Sequence, residues 1–318
     1  MKVTEHLKYS NNKPSFSVEI LPPLKGENIQ DIFKALEPLM EIKPTFVDVT
    51  YHREEYEYKE TKEGLWEKRI IRKRPGTVGI CAALQNRFGV DAVPHVLCGG
   101  FTKEETENLL IDLHFLGIDN IVALRGDAVK SEIYFKPKKQ GHRYANELVR
   151  QIDNQNQGIY LDNELLNTTK TNFCIGVAGY PEKHIESPNM DADIQFLKQK
   201  IDSGASYIIT QLFYDNQKFY DFVEKCRAAG ITTPIIPGIK PLSTKRQLNL
   251  IPYRFNVDIP IDLANDVIKA KTKEDVIEIG IEWMIEQSKD LYSKGFNLIH
   301  FYTMGKTDPI CRLAKTIL

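Results

Sequence analysis

The sequence predicts an α/β protein, a (β/α)8 barrel of the TIM type, forming one domain over residues 1–318. Three observations predict it. Short apolar runs alternate with longer amphipathic segments from end to end. Several of the runs are apolar at nearly every position, as strands covered on both faces must be. There are eight such runs, each followed by at least one helical pattern. An open doubly wound sheet is the alternative. Its dinucleotide fingerprint, Gly-x-Gly-x-x-Gly after the first strand, is absent, since the chain there reads Leu21-Pro22-Pro23-Leu24-Lys25-Gly26.

The candidate strands are Phe16–Leu21, Phe46–Thr50, Ala92–Leu97, Ile121–Leu124, Phe173–Ala178, Tyr207–Gln211, Pro234–Ile239 and Asn297–Tyr302, all rich in Val, Ile and Phe. Between them, Glu105–Leu116 places Leu109, Leu110, Leu113 and Leu116 on one helical face, with Thr102 as candidate N-cap. Asp191–Ser203 spaces Ile194, Leu197 and Ile201 as a helix does and stops at Gly204. Asn216–Ala229 stops at Gly230. Lys273–Lys294 turns Ile277, Ile281, Met284 and Leu291 inward and stops at Gly295. Two segments are long for barrel connections: His52–Lys62, dense in charge and tyrosine, and Gln151–Asn172, a polar surface excursion, ordered or mobile. The basic run Lys68-Arg69-Ile70-Ile71-Arg72-Lys73-Arg74 reads as a solvated helix face.

Composition narrows the classes. A hydrophobic fraction of 42% and a charged fraction of 27% suit a globular protein, and a net charge of -1 offers no field to attract nucleic acid or an anionic membrane. No aromatics interleave the basic run, as nucleic-acid binding would ask. The charged start, Met1-Lys2-Val3-Thr4-Glu5-His6, is not a secretory signal, and no stretch approaches the roughly 18 apolar residues of a membrane span. Five cysteines, odd in number and far apart, point to reduced thiols and a cytoplasmic location. A metal centre is disfavoured by the missing ligand spacings, and a Schiff base by the lack of a lysine in any candidate strand.

In α/β barrels chemistry sits at the C-terminal strand ends. There the chain places Glu19, Thr50-Tyr51, His95, Arg125-Gly126-Asp127, Gly179-Tyr180-Pro181-Glu182 with His184 beyond, Thr210-Gln211, Pro237-Gly238, and His300 with Tyr302. Each has a plainer reading: a solvated Glu, hydrogen-bonded structural histidines, a turn at Tyr180-Pro181, an Arg125–Asp127 pair. For Glu19 the alternation argues otherwise. Val18 and Ile20 face the helices, so Glu19 points into the barrel. Joint occurrence at one face favours a site.

The order of Glu19-Ile20-Leu21-Pro22-Pro23, Phe46-Val47-Asp48-Val49-Thr50-Tyr51, Pro94-His95, Leu124-Arg125-Gly126-Asp127, Gly179-Tyr180-Pro181-Glu182-Lys183-His184, Thr210-Gln211-Leu212-Phe213, Pro237-Gly238 and His300-Phe301-Tyr302-Thr303 resembles the methylenetetrahydrofolate reductases, from about residue 14 to 316. The resemblance implies a short bacterial form without the C-terminal regulatory domain of the eukaryotic enzymes. It implies noncovalent FAD and a ping-pong reaction. NADH or NADPH delivers hydride to the flavin, and 5,10-methylenetetrahydrofolate then takes its place and becomes 5-methyltetrahydrofolate, serving one-carbon metabolism and methionine supply.

By the same resemblance Glu19 is the general acid, its pKa raised by the barrel interior, and Asp127 tunes the flavin and steadies a cationic folate. Tyr51, His95, Arg125, Gly126, Asp127, Tyr144, Ala145, Tyr180, His184, Asp193 and Lys200 are expected to bind FAD, and Thr50, Gln211 and Gln247 the substrates. Family members form homo-oligomers. The sequence departs from the family pattern at His52-Arg53-Glu54-Glu55, at Ile251, where a stacking phenylalanine is expected, and at Met304-Gly305-Lys306. Stacking at Ile251 is lost or supplied by Tyr253 or Phe255. The nearest rival is an FAD-dependent, proline dehydrogenase-like barrel, which the early Glu19 and the Arg125-Gly126-Asp127 order disfavour. A metal-dependent hydrolase and a non-catalytic binding barrel follow.

Overall fold

The computed structural model describes residues 1–9, 13–129, 132, 134–303, 305 and 307–317. The strands are β1 (Ser15–Ile20), β2 (Phe46–Val49), β3 (Glu55–Glu60), β4 (Trp66–Ile71), β5 (Asp91–Leu97), β6 (Asn120–Leu124), β7 (Cys174–Gly179), β8 (Tyr207–Thr210), β9 (Ile235–Ile236), β10 (Gly238–Ile239) and β11 (Leu298–Tyr302). The helices are α1 (Val3–Tyr9), α2 (Ile29–Glu41), α3 (Thr77–Phe88), α4 (Lys103–Phe115), α5 (Ala145–Asn156), α6 (Met190–Asp202), α7 (Asn216–Ala228), α8 (Gln247–Phe255), α9 (Ile261–Lys269), α10 (Lys273–Ser293) and α11 (Asp308–Ile317).

One parallel sheet runs β10-β11-β1-β2-β5-β6-β7-β8-β9. Its two ends, β9 and β10, are one strand interrupted at Pro237. Proline has no N–H to give the ladder, so the strand breaks there. Its carbonyl still accepts from His300 N at 2.9 Å. The sheet therefore closes as the eight-stranded barrel expected from the sequence.

Two apolar layers follow from strand alternation. Phe16, Val18, Ile20, Val47 and Val49 face outward and are buried under the helices. Phe46, Val93, Val122, Tyr207 and Ile236 fill the interior, and Val3 of α1 closes its lower end, held by its N–H to Asn120 Oδ1 at 2.8 Å. On α4, Leu110 and Leu113 are fully buried, each contributing about 1.5–3 kcal/mol. Leu116, expected on that face, lies just past the helix and is exposed. Thr102 caps α4 as expected: its Oγ1 accepts from Glu105 N at 3.1 Å, and Glu105 Oε2 accepts from Thr102 N at 2.7 Å. The stops after α6, α7 and α10 are Gly204, Gly230 and Gly295, with φ of 119°, 77° and 88°.

Two expectations are corrected. The charged stretch after β2 and the basic run are not loop and helix but an antiparallel hairpin, β3–β4, in register Tyr56↔Ile70, Tyr58↔Lys68 and Glu60↔Trp66. Side chains alternate at period two, so Tyr56, Tyr58, Trp66 and Ile70 share one face while Glu57, Lys59, Glu67 and Arg69 share the other. Of the basic run, Arg69 lies on the second face, Lys68 lies on the first with its Nζ 3.8 Å from the centre of the Tyr56 ring, and Arg72, Lys73 and Arg74 follow the strand. The second correction concerns Gln151–Asn172. It opens inside α5, with Gln151, Ile152 and Gln155 buried. The remainder is tied down by Tyr160 Oη to Thr169 O at 2.8 Å and Thr168 Oγ1 to Gly158 O at 2.6 Å. Of the Met304-Gly305-Lys306 departure, Met304 and Lys306 lie outside the described residues.

Candidate active site

Three neighbouring strands build the first cluster. Glu19 on β1 pairs in register with Asp48 on β2, and Asp48 with Val93 on β5. His95 stands two residues beyond Val93, on the same inward face. Thr50 Oγ1 donates to Glu19 Oε1 at 2.8 Å. Thr303 anchors the strand from the other side, its Oγ1 donating to Glu19 O at 2.8 Å. His95 Nε2 lies 3.7 Å from Glu19 Oε2 and 3.5 Å from Asp48 Oδ2. At those distances it makes charge contacts with both acids, not a formed hydrogen bond.

Asp48 is 1% exposed, and neither carboxylate oxygen meets a hydrogen-bond donor among the described residues. Burial pushes it up to about 6, against the pull of His95. Burial also works against charge on His95, but Glu19 and then Asp48 outweigh it and hold the imidazole above its ordinary value. His300 is different. It is fully buried, its Nδ1 sits 2.9 Å from Ser17 Oγ, and burial with the nearby His95 drives it down to about 3, so it is a neutral structural histidine.

The second cluster surrounds β6. Arg125 does not pair with Asp127, the plainer reading of that motif. Its two terminal nitrogens donate to Glu186 Oε2 and Oε1 at 2.5 and 2.8 Å, and its guanidinium lies 5.0 Å over the Phe135 ring. Gly126 has φ of 81°, and a Cβ there would press on Leu97 at 3.2 Å. Asp127 is exposed, yet close enough to act on the Tyr180 phenol, which is raised by burial first and then by Asp193 and Asp127. Tyr180 packs edge-on to His184 at 4.8 Å, and Lys200 lies 5.8 Å over its ring. Lys200 Nζ donates to Ala178 O at 2.5 Å, and burial lowers it to about 8 against the pull of Asp193. Asp193, itself buried, accepts from Ser187 Oγ at 2.6 Å. Burial and Arg125 lower His184, whose Nδ1 accepts from Glu186 N at 3.1 Å.

The remaining expected residues are more scattered. Tyr144 and Ala145 open α5, with Tyr144 48% exposed. Gln211 follows β8 and turns its Oε1 back to Leu212 N at 2.9 Å. Gln247 Oε1 accepts from Ser243 N at 2.7 Å and Thr244 N at 2.9 Å, so that oxygen holds the loop before α8. Ile251 is buried in a satellite core that Phe255 flanks, while Tyr253 is exposed. Tyr51 packs against Phe101 at 5.2 Å and lines a cavity of about 1120 Å³ under the hairpin, with Arg53, Tyr56 and Arg72. No other expected site residue lines that cavity.

Comparison with known proteins decides the kinship. The family described as methylenetetrahydrofolate reductase matches residues 2–317. The chain is 31% identical over 305 residues to 5,10-methylenetetrahydrofolate reductase of Escherichia coli (strain K12), covering 95% of this chain and 90% of that protein. The chain belongs to the methylenetetrahydrofolate reductase family. It is also 33% identical over 309 residues to methylenetetrahydrofolate reductase 1 of Schizosaccharomyces pombe, covering 96% of this chain and 46% of that protein. It spans about half the length of the yeast relatives it matches. A solved structure titled as an uncharacterized protein from Clostridium thermocellum that binds two copies of 5-methyl-5,6,7,8-tetrahydrofolic acid shares the fold, with a TM-score of 0.60 at 16% identity over 99% of this chain and 98% of that one.

Within this methylenetetrahydrofolate reductase-family barrel, two charged residues of the clusters, Asp48 and Glu186, lay outside the expected set. Asp48 carried a readable signal. It stands between Val47 and Val49 as Glu19 stands between Val18 and Ile20, so the same alternation turns it inward. Glu186 carried none, because only the folded loop after β7 brings it to Arg125.

Proposed function

We propose that this protein reduces 5,10-methylenetetrahydrofolate to 5-methyltetrahydrofolate, with NADH or NADPH as hydride donor and FAD as carrier. The observation that supports it most is Glu19, a carboxyl turned into the barrel mouth between Thr50 and His95, in a chain of this family. The substrate's five-membered ring must open before hydride can reach its methylene carbon, and opening needs a proton on the departing nitrogen. Glu19 is the acid placed to give it. Thr50, bound to Glu19, orients that carboxyl. Asp127 adds negative charge where a cation develops, and Gln211 and Gln247 belong to the substrate face.

The second cluster fits FAD. Arg125 already holds a pair of oxygens in its fork, the geometry a diphosphate or ribityl group would present. Lys200 adds a second cation, and Gly126 leaves the space beside Leu97 that a side chain would fill. Arg125, Gly126, Asp127, Tyr180, His184, Asp193 and Lys200 would hold the cofactor, with Tyr51, His95, Tyr144 and Ala145 at its periphery. FAD, when bound, supplies the hydride-carrying chemistry. The reading extends to a cytoplasmic homo-oligomer, each copy one catalytic barrel, in one-carbon metabolism and methionine supply.

The test is direct. Purified protein should be yellow, be bleached by NADH or NADPH without air, and regain its colour with 5,10-methylenetetrahydrofolate. Protein that neither retains nor rebinds FAD, or reduced protein that the folate does not reoxidise, would overturn the proposal.

A further inference from the structure

Partly buried cations at the mouth of the barrel are nearly all claimed by the protein itself. Arg53, Arg74, Arg125, Lys183 and Lys200 each donate to a protein oxygen. Lys240, just past β10, is partly buried as well, yet it makes no hydrogen bond or ion pair among the described residues. An ammonium drawn out of water without a partner is costly, and a ligand oxygen can supply the missing contact.

Strand register fixes where Lys240 stands. Gly238 on β10 is level with His300, and Ile239 with Phe301, while Glu19 on β1 is level with Tyr302. Ile239 and Phe301 face outward, buried under the helices. Gly238 faces inward, since a Cβ on it would meet the Tyr302 ring. Lys240 is the next residue of that inward set, and one step past Ile239 brings it level with Tyr302 and Glu19. The strand order is β10-β11-β1, and neighbouring strands lie about 4.8 Å apart, so Lys240 and Glu19 stand about 10 Å from each other across β11. Tyr302 occupies the strand between them. Its hydroxyl donates to Thr210 O at 2.6 Å, which tips the ring over Gly238 and away from Glu19. Burial lowers the Lys240 ammonium, and Glu19 is the group that acts against this.

Resting on the function proposed above, we propose that Lys240 is a substrate-binding residue that receives a carboxylate of the folate's glutamyl arm. Glu19 serves the departing nitrogen, and that nitrogen carries the arm: a benzoyl ring, an amide, then the glutamyl carboxylates. An acid at the nitrogen and an ammonium about 10 Å further along the mouth suit the two ends of that arm. The reduced dinucleotide also carries anionic oxygens, on its phosphates. Its step needs nothing from Glu19, so the shared level of Lys240 and Glu19 favours the folate. Lys240 selects for an acidic arm and holds it in place; it takes no part in proton or hydride transfer.

The experiment compares two substrates on the FAD-loaded full chain. One is 5,10-methylenetetrahydrofolate. The other is its counterpart with a plain amide in place of the glutamyl group, so that the arm carries no charge. Wild type should show a KM about tenfold or more lower for the folate, as a charge-assisted hydrogen bond gives. In Lys240→Met that preference should vanish through a raised KM for the folate, with kcat changing far less, the pattern of lost binding and not of lost chemistry. Lys240→Arg, which keeps the charge, should restore most of it. The KM for NADH or NADPH should stay as in wild type. Wild type that handles both substrates alike overturns the proposal, and this arm needs no variant to fold. So does Lys240→Met protein of wild-type melting temperature that still prefers the charged arm. A KM shift for the dinucleotide in place of the folate also overturns it and makes a phosphate the ligand. If wild type reduces neither substrate, the proposed function fails, and calorimetric binding of 5-methyltetrahydrofolate against its uncharged amide counterpart judges Lys240 by itself. A preference for the charged arm that Lys240→Met loses supports the assignment, and equal or absent binding overturns it.

Discussion

Glu186 takes both arms of Arg125, at 2.5 and 2.8 Å, and so holds the guanidinium in the fork geometry that oxygen anions favour. Glu186 itself is half exposed, so the pair contributes little to stability, within about 1 kcal/mol. It competes instead with whatever anion Arg125 serves. Glu186→Gln is expected to leave the melting temperature nearly unchanged and to tighten FAD binding by the flavin-stripped protein, read by quenching of flavin fluorescence. Unchanged affinity would remove Arg125 from cofactor binding.

Glu19→Gln keeps the shape of the side chain and removes the proton. Folate reduction should fall by about a hundredfold or more, the usual worth of a general acid. Reduction by NADH or NADPH should remain, because that step needs no acid from Glu19. Anaerobic stopped-flow absorbance separates the two half-reactions, and equal loss of both would contradict the acid role. Asp127→Asn should slow the folate step to a smaller degree.

Burial raises Glu182 to about 7, even though its Oε2 accepts from Asp258 N at 3.0 Å. Its folded value lies above the unfolded value of about 4.3, so the folded state binds the extra proton between them. That stabilising contribution is fully present below about pH 4.3 and is lost as pH rises through about 7. Glu182→Gln carries no charge at any pH. Melting curves should therefore show the variant gaining on wild type from about pH 5 to about pH 8. A constant difference across that range would contradict the burial account.

At Gly238 a Cβ would be driven into the carbonyl oxygen of Thr210, with the Tyr302 ring close behind. Backbone cannot step aside as a flexible side chain can. Gly238→Ala should cost about 1–3 kcal/mol by overpacking, measured by denaturant unfolding, and should loosen the strand that closes the barrel.

The barrel strands were legible because burial on both faces leaves one-dimensional runs such as Ile121-Val122-Ala123-Leu124. The hairpin was not legible as a hairpin. Its faces alternate, but Tyr56, Tyr58, Trp66 and Ile70 are all at least half exposed, and charge density masked the alternation. Glu19 was legible because Val18 and Ile20 report which way it must point. Gln247 was legible as a candidate, yet nothing in its neighbours announces that its oxygen caps the backbone of Ser243 and Thr244.

By itself the sequence determined the barrel, the family resemblance and the inward carboxyl at Glu19. Alternation along a strand and the order of strand-end motifs are local properties of the chain. Only the tertiary structure decided that Arg125 meets Glu186 and not Asp127, that the strand expected over 234–239 is interrupted at Pro237 into β9 and β10, and that Asp48 and Glu19 share a single imidazole. Those facts depend on register between strands and on loops folded over strand ends. Charge interactions there are set by distances of a few ångströms between residues far apart in the chain.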